Sequence, residues 1–265
     1  IKDPVKDTLW LSLYNNGNQI WQWKASGAVK SVAVDSQFNV YASDYMNHVT
    51  KLDSNGKQVW QWQAPDGVNS VAVDSQFNVY VGSGSGYVTK LDNTGKQVGQ
   101  WKAIYGVNSV AVDSQSNVYY GDGGGYVDKI DNAGNHVWWA DPSWVKCLAV
   151  DSQSYVYVGD GANNVTKVES NWKILWQWKA SSGVNSLAVD SNNNVYVGDN
   201  SNNVTKLDST GKQVWQWKAS SGVNSLAVDS NNNVYVGDNS NNVTKLDSTG
   251  KQVWQSKVPN AVSSV

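Results

Sequence analysis

The sequence predicts an all-β protein, a seven-bladed β-propeller with four-stranded blades, and three observations lead to this prediction. A unit of 39 residues repeats along the chain, with a single step of 38 residues. Each unit contains four short segments rich in β-branched and aromatic residues, and four strands in about 40 residues is the size of one propeller blade. The patterns of the first and the fourth strand each occur seven times, which sets the expected number of blades.

The start of each unit is marked by the pattern of its first strand. The tetrapeptide Gly-Val-Asn-Ser begins at Gly67, Gly106, Gly183 and Gly222, and weaker copies surround Val29, Val145 and Val262. The predicted blades therefore start near residues 29, 68, 107, 145, 184 and 223. Residues 183–216 and 222–255 are identical, which indicates a recent duplication. The sequence predicts one propeller domain over residues 1–265.

The unit that starts at Val223 shows the four predicted strands in order. They cover Val223–Asp229, Asn233–Val236, Val243–Asp247 and Lys251–Gln255. Alternation of apolar and polar residues with a period of two favours strands over helices. The segments between the strands are rich in Asn, Asp, Ser and Gly, which favour tight reversals of the chain.

The two ends of the chain are predicted to form the closing blade together. This blade would comprise residues 1–28 and 262–265, with its third and fourth strands between Leu9 and Lys24 and its first strand in residues 262–265. The second strand would lie near Pro4 and is expected to be short or absent. A blade made from both termini would close the ring and protect the strand edges at its ends.

Composition excludes several classes of function. The chain has no Arg, a single Glu, two His and one Cys against 15 Trp and 13 Tyr, and its formal charge is −2. No nucleic-acid partner is expected, because such affinity comes mainly from Lys and Arg that neutralise phosphates. No membrane insertion is expected either, since no run approaches the roughly 18 apolar residues of a membrane span. A neutral surface rich in Asn, Ser and Trp favours an extracellular or cell-surface location, and the oligomeric state is left open.

Two segments of the unit resemble known propeller families. Residues 184–199, with the sequence VNSLAVDSNNNVYVGD, resemble the first half of an NHL repeat. Residues 206–215, KLDSTGKQVW, are similar to a pyrroloquinoline-quinone-type (PQQ-type) propeller repeat. The resemblance implies the propeller fold and says little about function, because both families include binding proteins and enzymes.

The first candidate site is a polar rim around the central axis. In a propeller the first strand of each blade lines the axis, so the second residue of each such strand is expected at one common rim. These residues are Lys30, Asn69, Asn108, Lys146, Asn185 and Asn224. Two ammonium groups among amides would suit a small anion or a sugar, and the alternative is an ordinary hydrated channel lining.

The second candidate site is formed by tryptophans of the fourth strands. Residues spaced by two on a strand project from the same face, so the Trp pairs are expected to fill the wedge between neighbouring blades. The alternative is a carbohydrate-binding platform in the grooves between blades. Its candidate residues are Trp23, Trp62, Trp101, Trp178 and Trp217.

Catalysis is not predicted, and neither a metal nor a cofactor is expected. The lyases and lactonases among propellers that the chain resembles use His or Glu with a bound metal, whereas His48, His136 and Glu169 occupy different positions of the repeat. A bound quinone is not expected because no Arg is present to pair with its carboxylates. Cys147 stands where other units have Ser and is predicted to be a buried filler.

The predicted function is that of a non-catalytic binding or scaffold propeller. It would present its loops and its polar axial rim to a protein or a glycan ligand. The first alternative is a lectin that binds sugars in the Trp-lined grooves between blades. The second alternative, from another class, is a metal-dependent propeller lyase or lactonase.

Overall fold

The described part of the chain consists of 26 β-strands joined by short turns. The computed structural model describes residues 10–15, 18–142, 144–169, 171–258 and 262–265. The strands form six four-stranded antiparallel sheets, in which neighbours pair in chain order, and one two-stranded sheet. The predicted all-β propeller with four-stranded blades is confirmed.

The six four-stranded sheets are numbered here as blades one to six along the chain. Blade one holds β3 (Val29–Val34), β4 (Val40–Asp44), β5 (His48–Leu52) and β6 (Gln58–Gln63). Blade two holds β7 (Val68–Val73), β8 (Val79–Ser83), β9 (Tyr87–Leu91) and β10 (Gln97–Lys102). Blade three holds β11 (Val107–Val112), β12 (Val118–Asp122), β13 (Val127–Ile130) and β14 (His136–Ala140).

The second half of the ring repeats this arrangement. Blade four holds β15 (Val145–Val150), β16 (Val156–Asp160), β17 (Asn164–Val168) and β18 (Ile174–Lys179). Blade five holds β19 (Val184–Val189), β20 (Val195–Asp199), β21 (Asn203–Leu207) and β22 (Gln213–Lys218). Blade six holds β23 (Val223–Val228), β24 (Val234–Asp238), β25 (Asn242–Leu246) and β26 (Gln252–Lys257). The first strands of successive blades contact one another along the central axis.

The predicted number of seven blades is wrong, because the residues that the structure describes form six four-stranded blades. Within the described residues, β1 (Trp10–Asn15) pairs with β2 (Asn18–Lys24) in a separate two-stranded sheet, and Val262–Val265 form no strand. Residues 1–9, where the short strand near Pro4 was predicted, lie outside the described residues. The segment 262–265, predicted as the first strand of the closing blade, is too short to form more than a few hydrogen bonds with a neighbouring strand. Its partner strand would come from the opposite end of the chain, so no local turn holds the two together.

In every blade except blade four, where Cys147 takes its place, a serine hydroxyl at the axis links the blade to the next segment of the ring. The hydroxyl accepts a hydrogen bond from a backbone N–H about 40 residues further along the chain, and Ser264 accepts the N–H of Val32 at the start of blade one. The donor–acceptor pairs are Val71–Ser31, Val110–Ser70, Leu148–Ser109, Leu226–Ser186, Val265–Ser225 and Val32–Ser264. The segment 262–265 therefore carries the links between blade six and blade one.

An aspartate at the start of most tight turns fixes the reversals within the blades. In blade five, Asp190 Oδ1 accepts the backbone N–H groups of Asn192 and Asn194. The same carboxylate accepts the Tyr196 hydroxyl at 2.9 Å through Oδ2. Asn193 has a φ of 62°, a left-handed conformation that Asn tolerates better than most residues. These local bonds explain why the strand boundaries recur so regularly.

Each blade has two different faces. On the first, named the Tyr–Lys–Trp face, the blade-five ammonium of Lys206 lies 5.1 Å from the ring centre of Tyr196. The Tyr196 and Trp215 ring centres are 5.9 Å apart. The Tyr–Lys–Trp face packs against the following blade, since the Trp215 indole N–H donates to the backbone carbonyl of Ser248 at 3.2 Å.

The opposite side of each blade is named the Val–Thr–Gln face. In blade five it contains Val197 on the second strand, Thr205 on the third and Gln216 on the fourth, at paired positions of the sheet. The Gln216 amide donates to the Thr205 hydroxyl at 3.0 Å. Blades one, two, four and six have the same Gln–Thr hydrogen bond. Blade three is the exception among the six.

Candidate functional site

The amides predicted at the axial rim form hydrogen bonds between neighbouring blades. Asn69 Nδ2 donates to the carbonyl of Val107 at 2.8 Å, and Asn224 Nδ2 donates to the carbonyl of Val262 at 3.1 Å. Asn108 and Asn185 make the equivalent bonds to Val145 and Val223. These donors are thus engaged in joining blades, and the role of the rim in binding remains a prediction.

The two lysines of the rim occupy different surroundings. Lys30 donates to Asn69 Oδ1 at 2.5 Å, and its ammonium lies 4.8 Å from the ring centre of Tyr45. Burial lowers the pKa of the Lys30 ammonium from its ordinary value. The Lys146 ammonium lies close to the backbone of Gly183 in the next blade. The structure thus holds Lys30 by internal contacts rather than leaving it extended over the axis.

The Trp pairs lie in the grooves between blades. Trp60 and Trp62 are half-buried and pack against the apolar cluster shared by blades one and two. The first indole of a pair reaches the next blade: Trp60 donates to the carbonyl of Asn93, and a Cβ on Gly95 would lie 2.8 Å from its ring. This packing accounts for the Trp pairs, and the proposed sugar platform at Trp23, Trp62, Trp101, Trp178 and Trp217 remains a prediction.

The side chains considered for catalysis each have a local partner. His48 Nδ1 lies 3.2 Å from Asp44, and Glu169 lies 3.6 Å from the Lys173 ammonium. Burial raises the pKa of the Cys147 thiol to about 12, so this thiol is un-ionised at neutral pH. In the portions of the chain that the structure describes, no three His, Cys, Asp or Glu residues are placed to hold a metal ion.

Blade three departs from the repeat at one continuous row of residues. Tyr120, Asp128 and Trp139 are paired across β12, β13 and β14, where the other blades carry Val or Ala, Thr and Gln. His136 replaces the residue at the start of the fourth strand, which is Gln in four other blades. Ile104, in the connection from blade two, stands where blades five and six have Ser. The row Tyr120, Asp128 and Trp139 thus lies on one face of blade three, and Ile104 belongs to the connection that precedes this blade.

A cavity of about 240 Å³ opens at this face, in the groove between blades two and three. Its wall is formed by side chains of both blades and of the segment that connects them. The lining residues are Lys102, Ile104, Tyr120, Tyr126, Asp128, His136 and Trp139. We name this cavity the blade-three pocket.

The blade-three pocket exists in part because the preceding blade lacks one tryptophan. Gly99 takes the place of the first Trp of the pair, and the Trp101 ring lies 3.2 Å from where a Cβ on Gly99 would be. Trp101 also lies against Gly134, the position that the first Trp of a pair contacts in other grooves. One indole of β10 therefore fills space that two indoles occupy elsewhere.

The floor of the pocket is a buried carboxylate with two hydrogen-bond partners. Asp128 is 8% exposed, and its Oδ1 lies 3.0 Å from His136 Nε2. Burial raises the pKa of the Asp128 carboxyl, opposed by hydrogen bonds from His136 and Tyr120, while the nearby Asp122 raises it further. Burial also raises the pKa of the Tyr120 phenol, and the negative charges of Asp128 and Asp122 raise it further. Tyr120 is therefore protonated at neutral pH and acts as a donor.

The mouth of the pocket is aromatic and exposed. Trp139 is 60% exposed, and its ring lies edge-on to Tyr126 with the centres 5.4 Å apart. Tyr126 in turn stacks on Tyr105 at 6.1 Å with an interplanar angle of 7°. Ile104 beside them is 72% exposed. The pocket thus combines an aromatic mouth with a polar floor.

The sequence pattern did not predict this site. From the sequence, His136 was one of three separate residues, with His48 and Glu169, of the types that ligate a metal or act in catalysis. The available signal was the row Tyr120, Asp128 and Trp139, at which the third unit differs from all others, with Ile104 and His136 as further departures. Their clustering becomes evident only when the strands of blade three are placed side by side.

Comparison with known proteins identifies the class of protein. The chain is a β-propeller of PQQ-type repeats, as the resemblance of residues 206–215 predicts. It belongs to the family described as outer membrane protein assembly factor BamB, whose profile matches residues 123–265, more than half of the chain. No curated protein matches the sequence.

A solved structure with a similar fold is a streptogramin B lyase. The match has a TM-score of 0.78 at 11% sequence identity, and it covers 88% of this chain and 83% of the lyase. At this identity the likeness shows the propeller fold alone. The described residues also include no helix of the length and apolarity needed to cross a membrane.

Proposed function

We propose that this chain is a non-catalytic binding propeller that takes its ligand, a group of a glycan or of a protein, in the blade-three pocket. One observation carries the proposal. Blade three departs from all other blades along the row Tyr120, Asp128 and Trp139, and these three residues line one cavity together with His136. The Gln–Thr hydrogen bond found in the other blades shows that the fold does not require Asp128 and Trp139.

The arrangement of the pocket supports binding. A concave site with apolar walls and a few convergent polar groups is the usual form of a ligand site. The aromatic mouth offers rigid contact area, and the buried Asp128 carboxylate supplies a polar anchor. The repeating blades hold the pocket residues on a rigid scaffold. Binding in the pocket therefore requires no change in the conformation of the loops or of the axial rim.

The proposal is tested by restoring the repeat in blade three. The variant Tyr120→Val, Asp128→Thr, His136→Gln, Trp139→Gln carries the residues of blades five and six at these positions. Wild type and variant are titrated with a panel of methyl pyranosides, amino-acid amides and short peptides, and backbone NMR shifts are recorded. We expect at least one compound class to shift pocket residues of the wild type and none to do so in the folded variant.

The control places the same type of residue on another blade. Gln177→Trp puts an indole at the blade-four position that corresponds to Trp139, without the carboxylate or the histidine. This variant should bind like the wild type, through the unchanged blade-three pocket. The proposal fails if the restored variant keeps its ligand, or if the panel shifts only the amides of the axial rim.

A second candidate function is acid–base catalysis at the same pocket. It is favoured by the contact of 3.0 Å between His136 Nε2 and Asp128 Oδ1, a pair that can orient an imidazole for proton transfer. The streptogramin B lyase shows that a protein with a similar propeller fold can be an enzyme, and its similarity to this chain extends to the fold alone. Each compound that binds is recovered after incubation: an unchanged compound supports binding, and a converted one supports catalysis.

A further inference from the structure

We infer that the blade-three pocket recognises a neutral pyranose ring, the terminal sugar of a glycan, with the ring lying on Trp139 and its hydroxyls directed to Asp128. This inference rests on the proposed binding function and names the class of its ligand. Three properties of the pocket lead to it: its size, its aromatic mouth and the balance of donors and acceptors on its floor.

The size of the pocket limits the ligand to a single small ring. Its volume of about 240 Å³ lies below the roughly 300–1,000 Å³ of sites that enclose drug-sized molecules. A monosaccharide or one amino-acid side chain fits such a volume, whereas a folded partner can only place a protruding group in it. The remainder of a larger ligand would extend over the exposed Ile104 and Tyr105.

The aromatic mouth suits the C–H face of a sugar. Trp139 is 60% exposed although it sits opposite the buried Asp128 on the neighbouring strand. The edge-on contact with Tyr126 fixes the orientation of the indole. The face of an aromatic ring carries negative charge density, and the C–H groups of a pyranose are slightly positive because each carbon bears oxygen.

The polar groups favour a neutral ligand with several hydroxyls. Asp128 is an acceptor, and its two oxygens have about four lone-pair sites, of which His136 and Tyr120 use two. Lys102 supplies donors at the same wall. Asp128 and the nearby Asp122 disfavour an anion, and Lys102 disfavours a cation. A purely apolar ligand would exclude water from the Asp128 carboxylate without offering hydrogen bonds in its place, which is energetically costly.

The test uses simple glycosides as probes. Wild-type protein is titrated with the methyl α- and β-pyranosides of glucose, galactose, mannose and N-acetylglucosamine, by calorimetry and by NMR. We expect at least one to bind with a Kd on the order of 1 mM, a typical weak affinity for one small ring. The shifts should include the indole N–H of Trp139 and should leave those of Trp60 and Trp215 unchanged.

Two variants and one control locate the sugar. Trp139→Ala and Asp128→Asn should each weaken binding at least tenfold, and melting curves verify that both are folded. Trp144→Ala removes a comparable exposed indole, 68% exposed and absent from the pocket lining, and should leave binding unchanged. Equal affinity of the Trp139→Ala variant and the wild type would overturn the inference.

The other outcomes separate this inference from the proposed function. Binding of a peptide or an amide from the panel, with no glycoside bound, would overturn the sugar inference and leave the binding propeller in place. Glycoside shifts confined to Asn185 and Asn224 of the rim would overturn the assignment to the blade-three pocket. If no compound of the panel binds, both the sugar inference and the proposed binding function are overturned.

Discussion

At the scale of single residues, the most regular contact is that between a tyrosine on the second strand and the aspartate of the preceding turn. Tyr196 donates to Asp190 at 2.9 Å, and Tyr41, Tyr80, Tyr119, Tyr157 and Tyr235 make the same bond in their own blades. Burial raises the pKa of the Tyr196 phenol above its ordinary value, and the hydrogen bond to Asp190 raises it further. The hydroxyl therefore remains a donor at any physiological pH.

Blades five and six allow this contact to be measured in a matched pair. Tyr196 is fully buried, whereas Tyr235, in an identical stretch of sequence, is partly exposed. Tyr196→Phe should lower the free energy of unfolding by about 1–2 kcal/mol, because Asp190 loses a buried donor. Tyr235→Phe should cost less, since water can replace the hydroxyl. Denaturant unfolding of both variants checks this, and equal losses would contradict it.

The pocket carboxylate gives a prediction on pH. Since the pKa of Asp128 is raised in the folded protein, the stability that it contributes is present below its ordinary pKa and is lost as the pH rises through the folded value. Asp128→Thr should therefore stabilise the protein at pH 7. The stabilisation should shrink toward zero as the pH falls to about 3.9, the ordinary value for Asp.

The measurement is a series of melting curves against pH. It is made in a His136→Gln background, so that the imidazole does not titrate beside the carboxyl, while Lys102 and Asp122 are present in both proteins. A stabilisation by Asp128→Thr that grows toward acid pH would show that the carboxyl is favoured in its charged form and would contradict this account.

At the scale of the elements, the grooves between blades depend on how many indoles the fourth strand contributes. Groove one–two holds Trp60 and Trp62, whereas groove two–three receives only Trp101 from its fourth strand. Trp101 lies against Gly134, where the first Trp of a pair lies in other grooves, and we infer that the pocket takes the place of the second Trp. A small change in one strand thus opens a cavity without disturbing the hydrogen bonds of the sheet.

Gly99→Trp should reverse this change. The new indole should take the place against Gly134, and Trp101 should move into the pocket and fill it. Burial of one large aromatic side chain should add about 1–3 kcal/mol of stability and abolish ligand binding. A crystal structure and a melting curve of the variant check the prediction, with Gln177→Trp as the control for an added indole. An unchanged cavity beside an exposed new indole would contradict it.

At the scale of the whole molecule, the ring is joined at the axis by hydroxyl groups between blades. Ser264 accepts the N–H of Val32 at 3.2 Å, and Val265 donates to Ser225 at 2.9 Å. Val262 is 7% exposed, so the segment 262–265 is also anchored by packing. These contacts bring residues from opposite ends of the chain together.

Ser264→Ala should destabilise the whole ring by about 1 kcal/mol, because the Val32 N–H loses its acceptor in a partly buried place. For a chain of this size such a loss lowers the melting temperature by roughly 2–4 °C. The adjacent Ser263 is exposed, and Ser263→Ala should have no effect. Calorimetry of the two variants provides the comparison, and equal melting temperatures would contradict a role for this segment in joining the ring.

The features that could be predicted from the sequence are those fixed by local chemistry. Strands such as β19 and β20 follow from alternation and from turns that Asp190 and its neighbours stabilise within a few residues. The number of blades was not predictable in this way, because whether residues 262–265 form a strand depends on long-range contacts, such as that of Ser264 with Val32, that no local pattern specifies.

The blade-three pocket was missed for a related physical reason. Asp128, His136 and Trp139 lie on two strands that only the sheet brings together, and Gly99 acts from the preceding blade. Each of these residues is unremarkable when read alone. Together they remove the Gln–Thr hydrogen bond, bury a carboxylate and leave a space beside it.

The most direct test is a crystal structure of the wild-type protein soaked with the methyl pyranosides. We expect electron density for a pyranose stacked on Trp139, with a hydroxyl within hydrogen-bond distance of the Asp128 carboxylate. Density found only at the axial rim or along the Trp pairs of other grooves would contradict it, as would a blade-three pocket that contains only water at saturating sugar.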